Sequence, residues 1–294
     1  MIKLLHGDVV EQLKILDDNS VDAIIVDPPY NLGMDEWDKW ESNEAFGKWC
    51  TLWGVEAYRV LKPGGNFLSF GCNKTYHWMA CGLESSGFRT RDMIEWVYWS
   101  TMPKKQNLKS CHEPIYFGTK GKPKPLNIED SRITFKEKFK TPIDEILLPS
   151  LPMGKHPGRK AYGGDTDAKI YGKAMDDKPY EMNENGRHPY NVVTNSITEL
   201  TYPTNVKDVK KPRGKESIKE HQTQKPVELM RWLIGLTTKQ GDVILDCFGG
   251  TGTTGEAALL ESRSIILIDK KEEYINIIKN RLQPYEVGDD ILDF

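Results

Sequence analysis

The 294-residue sequence predicts a doubly wound, mostly parallel α/β sheet with one long insertion. Three observations predict it. Short β-branched runs alternate with helix-spaced segments, a glycine-rich loop directly follows one of those runs, and the alternation is interrupted once, in the middle of the chain. A content of 38% hydrophobic and 28% charged residues suits a globular chain with a sizeable core and argues against disorder or fibre. No apolar stretch approaches the roughly 20 residues of a membrane span, and the first residues lack an apolar signal segment, so a cytoplasmic location is expected. The five cysteines (Cys50, Cys72, Cys81, Cys111, Cys247) are scattered and form no C-x-x-C pair, which reads as reduced thiols with no metal site.

Residues 2–5 read as a strand, 9–16 as a helix and 21–26 as a buried strand, a β-α-β opening. After a loop containing Trp37 and Trp40, residues 45–61 carry helical spacing and stop at Lys62-Pro63-Gly64-Gly65, a helix-stop and turn signal. A strand at 66–70, a helix at 73–85, a strand-like stretch at 93–99 and a short run at 114–117 complete a first half, residues 1–119. Residues 120–219 break the pattern with frequent proline, glycine and lysine. They read as a small separate domain or a disordered excursion, with Tyr162, Tyr171, Tyr180, Tyr190 and Tyr202 favouring some packing. Regular structure resumes in residues 220–294. A helix at 227–236, a strand at 243–245, a glycine loop, a helix at 255–261, a strand at 265–268 and a helix at 270–282 lead to an acidic tail expected to fray.

The net charge of −3 hides a partition. Residues 101–215 hold 22 Lys and Arg against 14 Asp and Glu, a balance of +8, which leaves −11 for the rest. A basic insert in an acidic chain is the footprint of a polyanion-binding module, or else a solvated basic surface.

Asp27-Pro28-Pro29-Tyr30 stands where a buried strand stops. Proline has no N–H and holds the residue before it extended, so this strand end presents stiff carbonyls beside a carboxylate, with a tyrosine face for stacking. Such a site accepts hydrogen bonds from a flat group carrying an NH2, which describes a nucleobase. Farther on, Gly250-x-Gly252-x-x-Gly255 follows a strand and opens a helix, and Asp269 closes the next strand 19 residues after Gly250, where an acid meets ribose hydroxyls. The pattern indicates an adenosine-containing cofactor. Asp246, at the end of the strand before the loop, favours a cofactor bearing an ammonium and a sulfonium over one whose pyrophosphate it would repel.

These motifs together resemble the DNA amino-methyltransferases that use S-adenosylmethionine, in the permuted β-class order. The resemblance spans the chain except its middle. Asp27-Pro28-Pro29-Tyr30 is similar to the family's catalytic motif, Asp246 to Thr254 to its cofactor loop, and His221-Gln222-Thr223-Gln224-Lys225-Pro226 to the segment before that loop. Arg59-Val60-Leu61-Lys62-Pro63-Gly64-Gly65 and Ile268-Asp269 through Tyr274 match further family patterns. The resemblance implies a Rossmann-like core with a target-recognition domain in the basic insert.

It also implies roles. Asp27 and the Pro28 carbonyl would accept the two N–H groups of the target amine while Tyr30 stacks on the base, with Pro29 completing the motif; Asp27 borders both target and cofactor. Asp269 would bind the ribose, Asp8 would face the adenine of the cofactor unless it only caps a helix, and Phe248 would line that pocket. Asp246, Gly249, Gly250, Gly252 and Thr253 would cradle the methionine end, helped by Lys225 and Gln222. Trp37 and Trp40 are read as staples of their loop against the next helix, with contact to a flipped nucleotide as the alternative. Lys155, Arg159, Lys160, Lys210, Lys211 and Arg213 would meet phosphates.

The implied substrate is double-stranded DNA, methylated at N6 of a flipped-out adenine because the motif begins with Asp. The cytosine N4 amine is the alternative within the family. Outside it stand a nicotinamide-dependent oxidoreductase and a DNA-binding protein without catalysis. A homodimer and a partner restriction endonuclease are associations open to such an enzyme, and a palindromic site would favour a dimer or two successive monomer events.

Overall fold

The computed structural model describes residues 1–97, 112–127, 192–194, 224–285 and 291–293. The β-branched runs form the strands β1 (Ile2–His6), β2 (Val21–Val26), β3 (Leu61–Phe70), β4 (Arg89–Val97), β5 (His112–Thr119), β6 (Val192–Thr194), β7 (Val243–Asp246), β8 (Ser264–Asp269) and β9 (Ile291–Asp293). The helices are α1 (Val9–Lys14), α2 (Asn43–Val60), α3 (Tyr76–Ser85), α4 (Val227–Thr237), α5 (Thr253–Leu260) and α6 (Glu272–Leu282). No helix among the described residues is long and apolar enough to cross a membrane.

Among the described residues, all nine strands form one sheet in the order β6-β4-β5-β3-β2-β7-β8-β1-β9. Pairing is parallel except that β5 runs antiparallel to β3 and β4. Alternate residues of a strand face opposite sides, and β2 shows the consequence. Ile25 packs with Leu229, Leu233 and Ile234 of α4 and with residues of α5 and α6, whereas Ile24 and Val26 pack with Leu13 of α1, Trp53 of α2 and Leu83 of α3. The sheet is thus covered on both faces, with helices from the first half of the chain on one side and helices from the second half on the other.

The first half winds outward from β2 to β3, and the second winds the other way from β7 to β8. Because β2 and β7 are neighbours, the order reverses between them. In doubly wound sheets the ligand crevice opens at the carboxyl ends of the strands at such a reversal, and those ends carry Asp27 and Asp246.

Two expectations are corrected. Lys62-Pro63-Gly64-Gly65 follows the end of α2 at Val60 but is not a turn before the strand, because β3 begins at Leu61. Leu61 lies opposite Val21 and Asn66 opposite Ala23, so five steps along β3 match two along β2 and the excess residues bulge. Gly64, at φ +77°, permits the bulge, and its N–H donates to the Lys120 carbonyl at 2.7 Å. The acidic tail, expected to fray, supplies β9, which pairs parallel with β1 at the sheet edge.

Candidate active site

The chain leaves β2 through Asp27, Pro28, Pro29 and Tyr30, which line a cavity of about 730 Å³. Asp8, Lys225, Asp246, Phe248, Gly249, Gly250, Thr253 and Asp269 line the same cavity. The fold therefore unites the two motifs of the sequence across the reversal of strand order. Gly252 is not on the wall: its backbone, at φ +76°, turns the loop into α5, and a Cβ there would approach Ile278 at 3.3 Å. Gln222 and the six basic residues named for the insert lie outside the described residues, as do the insert's five tyrosines.

At the end formed by β2, charge is paired. Lys225, immediately before the α4 cap Pro226, is 5% exposed, and its Nζ donates to Asp27 Oδ2 at 2.6 Å. It also lies 3.2 Å from the Tyr30 hydroxyl and 3.3 Å from Glu113 Oε2. The Tyr30 hydroxyl donates to Asp27 Oδ1 at 2.5 Å, with Glu113 Oε2 3.4 Å away. Burial alone would lower the Lys225 pKa, but the carboxylates of Asp27 and Glu113 outweigh it and hold the ammonium above its ordinary value. Burial, aided by the same two carboxylates, pushes the Tyr30 phenol well above its usual range, so it stays protonated and donates. Lys225 thus sits on Asp27 as well as on the shared cavity wall.

The backbone after the motif is set by Asp38, which is 1% exposed. Its Oδ1 accepts from the N–H groups of Tyr30 and Asn31, both at 2.7 Å, and its Oδ2 from those of Leu32 at 3.0 Å and Met34 at 3.3 Å. Four amides converging on one carboxylate compensate the buried charge and fix the exit of Tyr30. Thr75 holds the other side of that residue by donating to its carbonyl at 2.6 Å. Trp40 is a staple, packed on Trp49 at 4.6 Å and Phe46 at 5.2 Å. Trp40 also lines the cavity, as does Trp37, which is 39% exposed beside Lys271, whose ammonium is 5.7 Å from its ring.

At the other end, carboxylates meet dipoles. Asp269 accepts from Gly250 N at 2.8 Å and Lys271 N at 2.9 Å. Asp246, 3% exposed, accepts from Phe248 N at 3.0 Å. Neither forms a salt bridge among the described residues, and burial raises both; Asp246 rises to about 7 despite its hydrogen bonds to Thr254 and Phe248. Asp8 both caps α1, accepting from Val10 N at 3.0 Å, and lines the cavity. Phe248 bridges cavity and core, its ring 5.2 Å from Trp53 and 5.7 Å from Trp49.

Sequence reasoning missed Asp38, Glu113 and Arg281. Arg281 of α6 donates to Glu256 at 2.7 Å and to the Thr251 carbonyl at 2.9 Å, tying the glycine loop to a helix 30 residues on. None belongs to a motif. Glu113 had one faint signal, a carboxylate opening a run that is otherwise apolar.

A family model described as DNA methylase matches residues 21–280. The chain is 29% identical to the type II methyltransferase M.HpaI of Haemophilus parainfluenzae, an alignment covering 99% of this chain and 77% of that protein. The structure of the M1.HpyAVI–SAM complex superposes with a TM-score of 0.58 at 24% identity, covering 96% of this chain and 99% of the other. The PvuII DNA methyltransferase, described as cytosine-N4-specific, does so with a TM-score of 0.61 at 17% identity, covering 98% and 87%. At such identities the two structures speak to the fold alone.

Proposed function

We propose a specific reaction on the premise that the chain belongs to the DNA methylase family and is an S-adenosylmethionine-dependent DNA amino-methyltransferase of the N6/N4 type: methyl transfer to N6 of an adenine flipped out of duplex DNA. The observation that carries it is the single cavity shared by the Asp27 carboxylate and the Asp246 to Asp269 loop.

The residues present fit the cofactor. Asp246 is a buried carboxylate with no salt bridge among the described residues, which suits the ammonium of the methionine moiety. Asp269 spends one lone pair of each oxygen on backbone amides and keeps others for ribose hydroxyls. Asp8 and Phe248 would flank the adenine ring, Gly249, Gly250 and Thr253 would lie along the methionine end, and Gly252 would shape the turn. Gln222 is assigned to the same end by its motif. Bound S-adenosylmethionine supplies an electrophilic methyl on a sulfonium.

An exocyclic amine is a poor nucleophile because its lone pair is delocalised into the ring. Asp27 and the Pro28 carbonyl would each accept one N–H, turning the lone pair out of the ring plane, while the Tyr30 ring stacks on the base. Placement and electrostatics supply most of the acceleration, since the amine sheds its proton only as the C–N bond forms. Flipping costs about a few kcal/mol, offset by stacking and backbone contacts.

Residues 120–219, between core halves 1–119 and 220–294, are assigned to target recognition because the basic excess lies there. A homodimer on a palindromic site, a partner restriction endonuclease and a cytoplasmic location belong to the same reading. The adenine assignment rests on Asp at the first motif position. Cytosine N4 presents the same chemistry, so the target is decided by incubating the protein with S-adenosylmethionine and unmethylated duplex DNA, then digesting to nucleosides for mass spectrometry. N6-methyladenine is expected. N4-methylcytosine would overturn the base assignment, and absence of transfer with the cofactor bound would overturn the substrate.

A further inference from the structure

The Tyr30 hydroxyl has two partners in the cavity. It donates to Asp27 Oδ1 at 2.5 Å and stands 3.2 Å from Lys225 Nζ, which has hydrogens only to give. One oxygen thus acts as donor to the carboxylate and acceptor from the ammonium. An adenine or a cytosine carries the same pair along its Watson–Crick edge, an amine N–H beside an unprotonated ring nitrogen. Guanine and thymine put a carbonyl beside a ring N–H, which would set N–H against ammonium.

We propose that the Tyr30 hydroxyl occupies the seat of this amidine edge, and that Lys225 is a specificity residue donating to the ring nitrogen beside the target amine. The inference deepens the amine-methylation reading and rests on it. When the base enters, its amine replaces the hydroxyl on Asp27 Oδ1 and its ring nitrogen replaces the hydroxyl on Lys225. The ammonium stays anchored, because Asp27 Oδ2 at 2.6 Å and Glu113 Oε2 at 3.3 Å still hold it. Glu113 is the positioning residue: it braces Lys225 and offers the displaced hydroxyl an acceptor, already 3.4 Å away. The bland alternative, that Lys225 only neutralises Asp27, leaves the ring nitrogen unread.

The test uses the full-length protein and synthetic duplexes carrying the site mapped by sequencing DNA that the enzyme has methylated. The target adenine is replaced by 1-deazaadenine, which keeps the amine and loses the ring acceptor, or by 7-deazaadenine, which loses a nitrogen on the far edge. Wild-type kcat/KM is expected to fall about 10- to 100-fold for the first, the range for a hydrogen bond to a charged group, and to change less than about threefold for the second. In Lys225→Met the ratio between adenine and 1-deazaadenine should collapse to below about threefold, and this ratio is independent of how much protein is folded. Should Lys225→Met not fold, Lys225→Arg, which keeps the charge and displaces the donor, carries the same comparison. Equal rates on the two deaza duplexes, or an undiminished ratio in the variant, would overturn the proposal. The amine reading fails differently, by giving no transfer to the ordinary duplex; transfer to cytosine instead moves the test to 3-deazacytosine.

Discussion

Asp27 shares its end of the cavity with a buried ammonium 2.6 Å away, whereas Asp246, at the other end, is 3% exposed and has no salt bridge among the described residues, meeting a backbone amide, a hydroxyl and the repulsion of the Asp27 and Asp269 carboxylates. Both are acids closing neighbouring parallel strands, so the sheet alone does not distinguish them. Their partners do. The β2 end has its counter-charge built in, which locks the carboxylate in one orientation for accepting hydrogen bonds. The β7 end leaves its charge to be completed by a cationic ligand, and its carboxyl is accordingly held up near neutrality. One end is organised for geometry and the other for binding.

The strongest way to break this comparison is to remove each acid in turn. Asp27→Ala should lower kcat for methyl transfer about 10³-fold, the scale of losing a fixed electrostatic partner of the reacting group. Radiolabelled methyl transfer to unmethylated DNA measures it. Asp246→Asn should act on affinity, weakening S-adenosylmethionine by about 10- to 100-fold in calorimetry, the range for a hydrogen bond to a charged group.

The pH dependence sharpens the same contrast. With Asp246 titrating at about 7 in the folded chain, well above the unfolded carboxylate range, the unfolded state ionises first as pH rises. The ligand-free protein should therefore lose stability between the ordinary carboxylate range and about pH 7. Cofactor affinity should run the other way, falling up to tenfold per pH unit below about 7 and falling again above about 8, where the cofactor's own amino group deprotonates. Asp246→Asn should flatten both limbs, because the ammonium then loses the carboxylate that favours it over the neutral amine.

A smaller effect is expected at Asp38, which serves the chemical end through the backbone amides it holds. Asp38→Asn turns an NH2 toward part of a set of four amides and should reduce kcat about tenfold, with amide exchange at Tyr30 and Asn31 accelerated in a hydrogen-exchange experiment.

These residues also show what the sequence could carry. The glycine loop, Asp246 and Asp269 were legible because strand, turn, helix and acid follow one another directly between Val243 and Asp269, and each is constrained by local geometry. Asp27 to Tyr30 was legible because two prolines at the end of an apolar run have few structural uses. Lys225 was named by its motif, but Glu113 and its contact with Lys225 were beyond local reasoning, since that contact depends on β5 lying antiparallel to β3 and on α4 packing across the sheet. Asp38 was hidden differently: a carboxylate in a polar loop looks solvated, and only the fold shows four amides turned toward it. Lys62-Pro63-Gly64-Gly65 was misread because the signals that end a helix are also those that permit a bulge, and the choice was made by β2 beside it.

The division between the two ends is tested most directly by the cofactor affinity of Asp27→Ala, measured by calorimetry beside Asp246→Asn. The account predicts a dissociation constant within about fivefold of the unaltered protein for Asp27→Ala, against a loss of about 10-fold or more for Asp246→Asn. Equal losses in the two variants would contradict it, because the acids would then be serving one binding site and not two separate tasks.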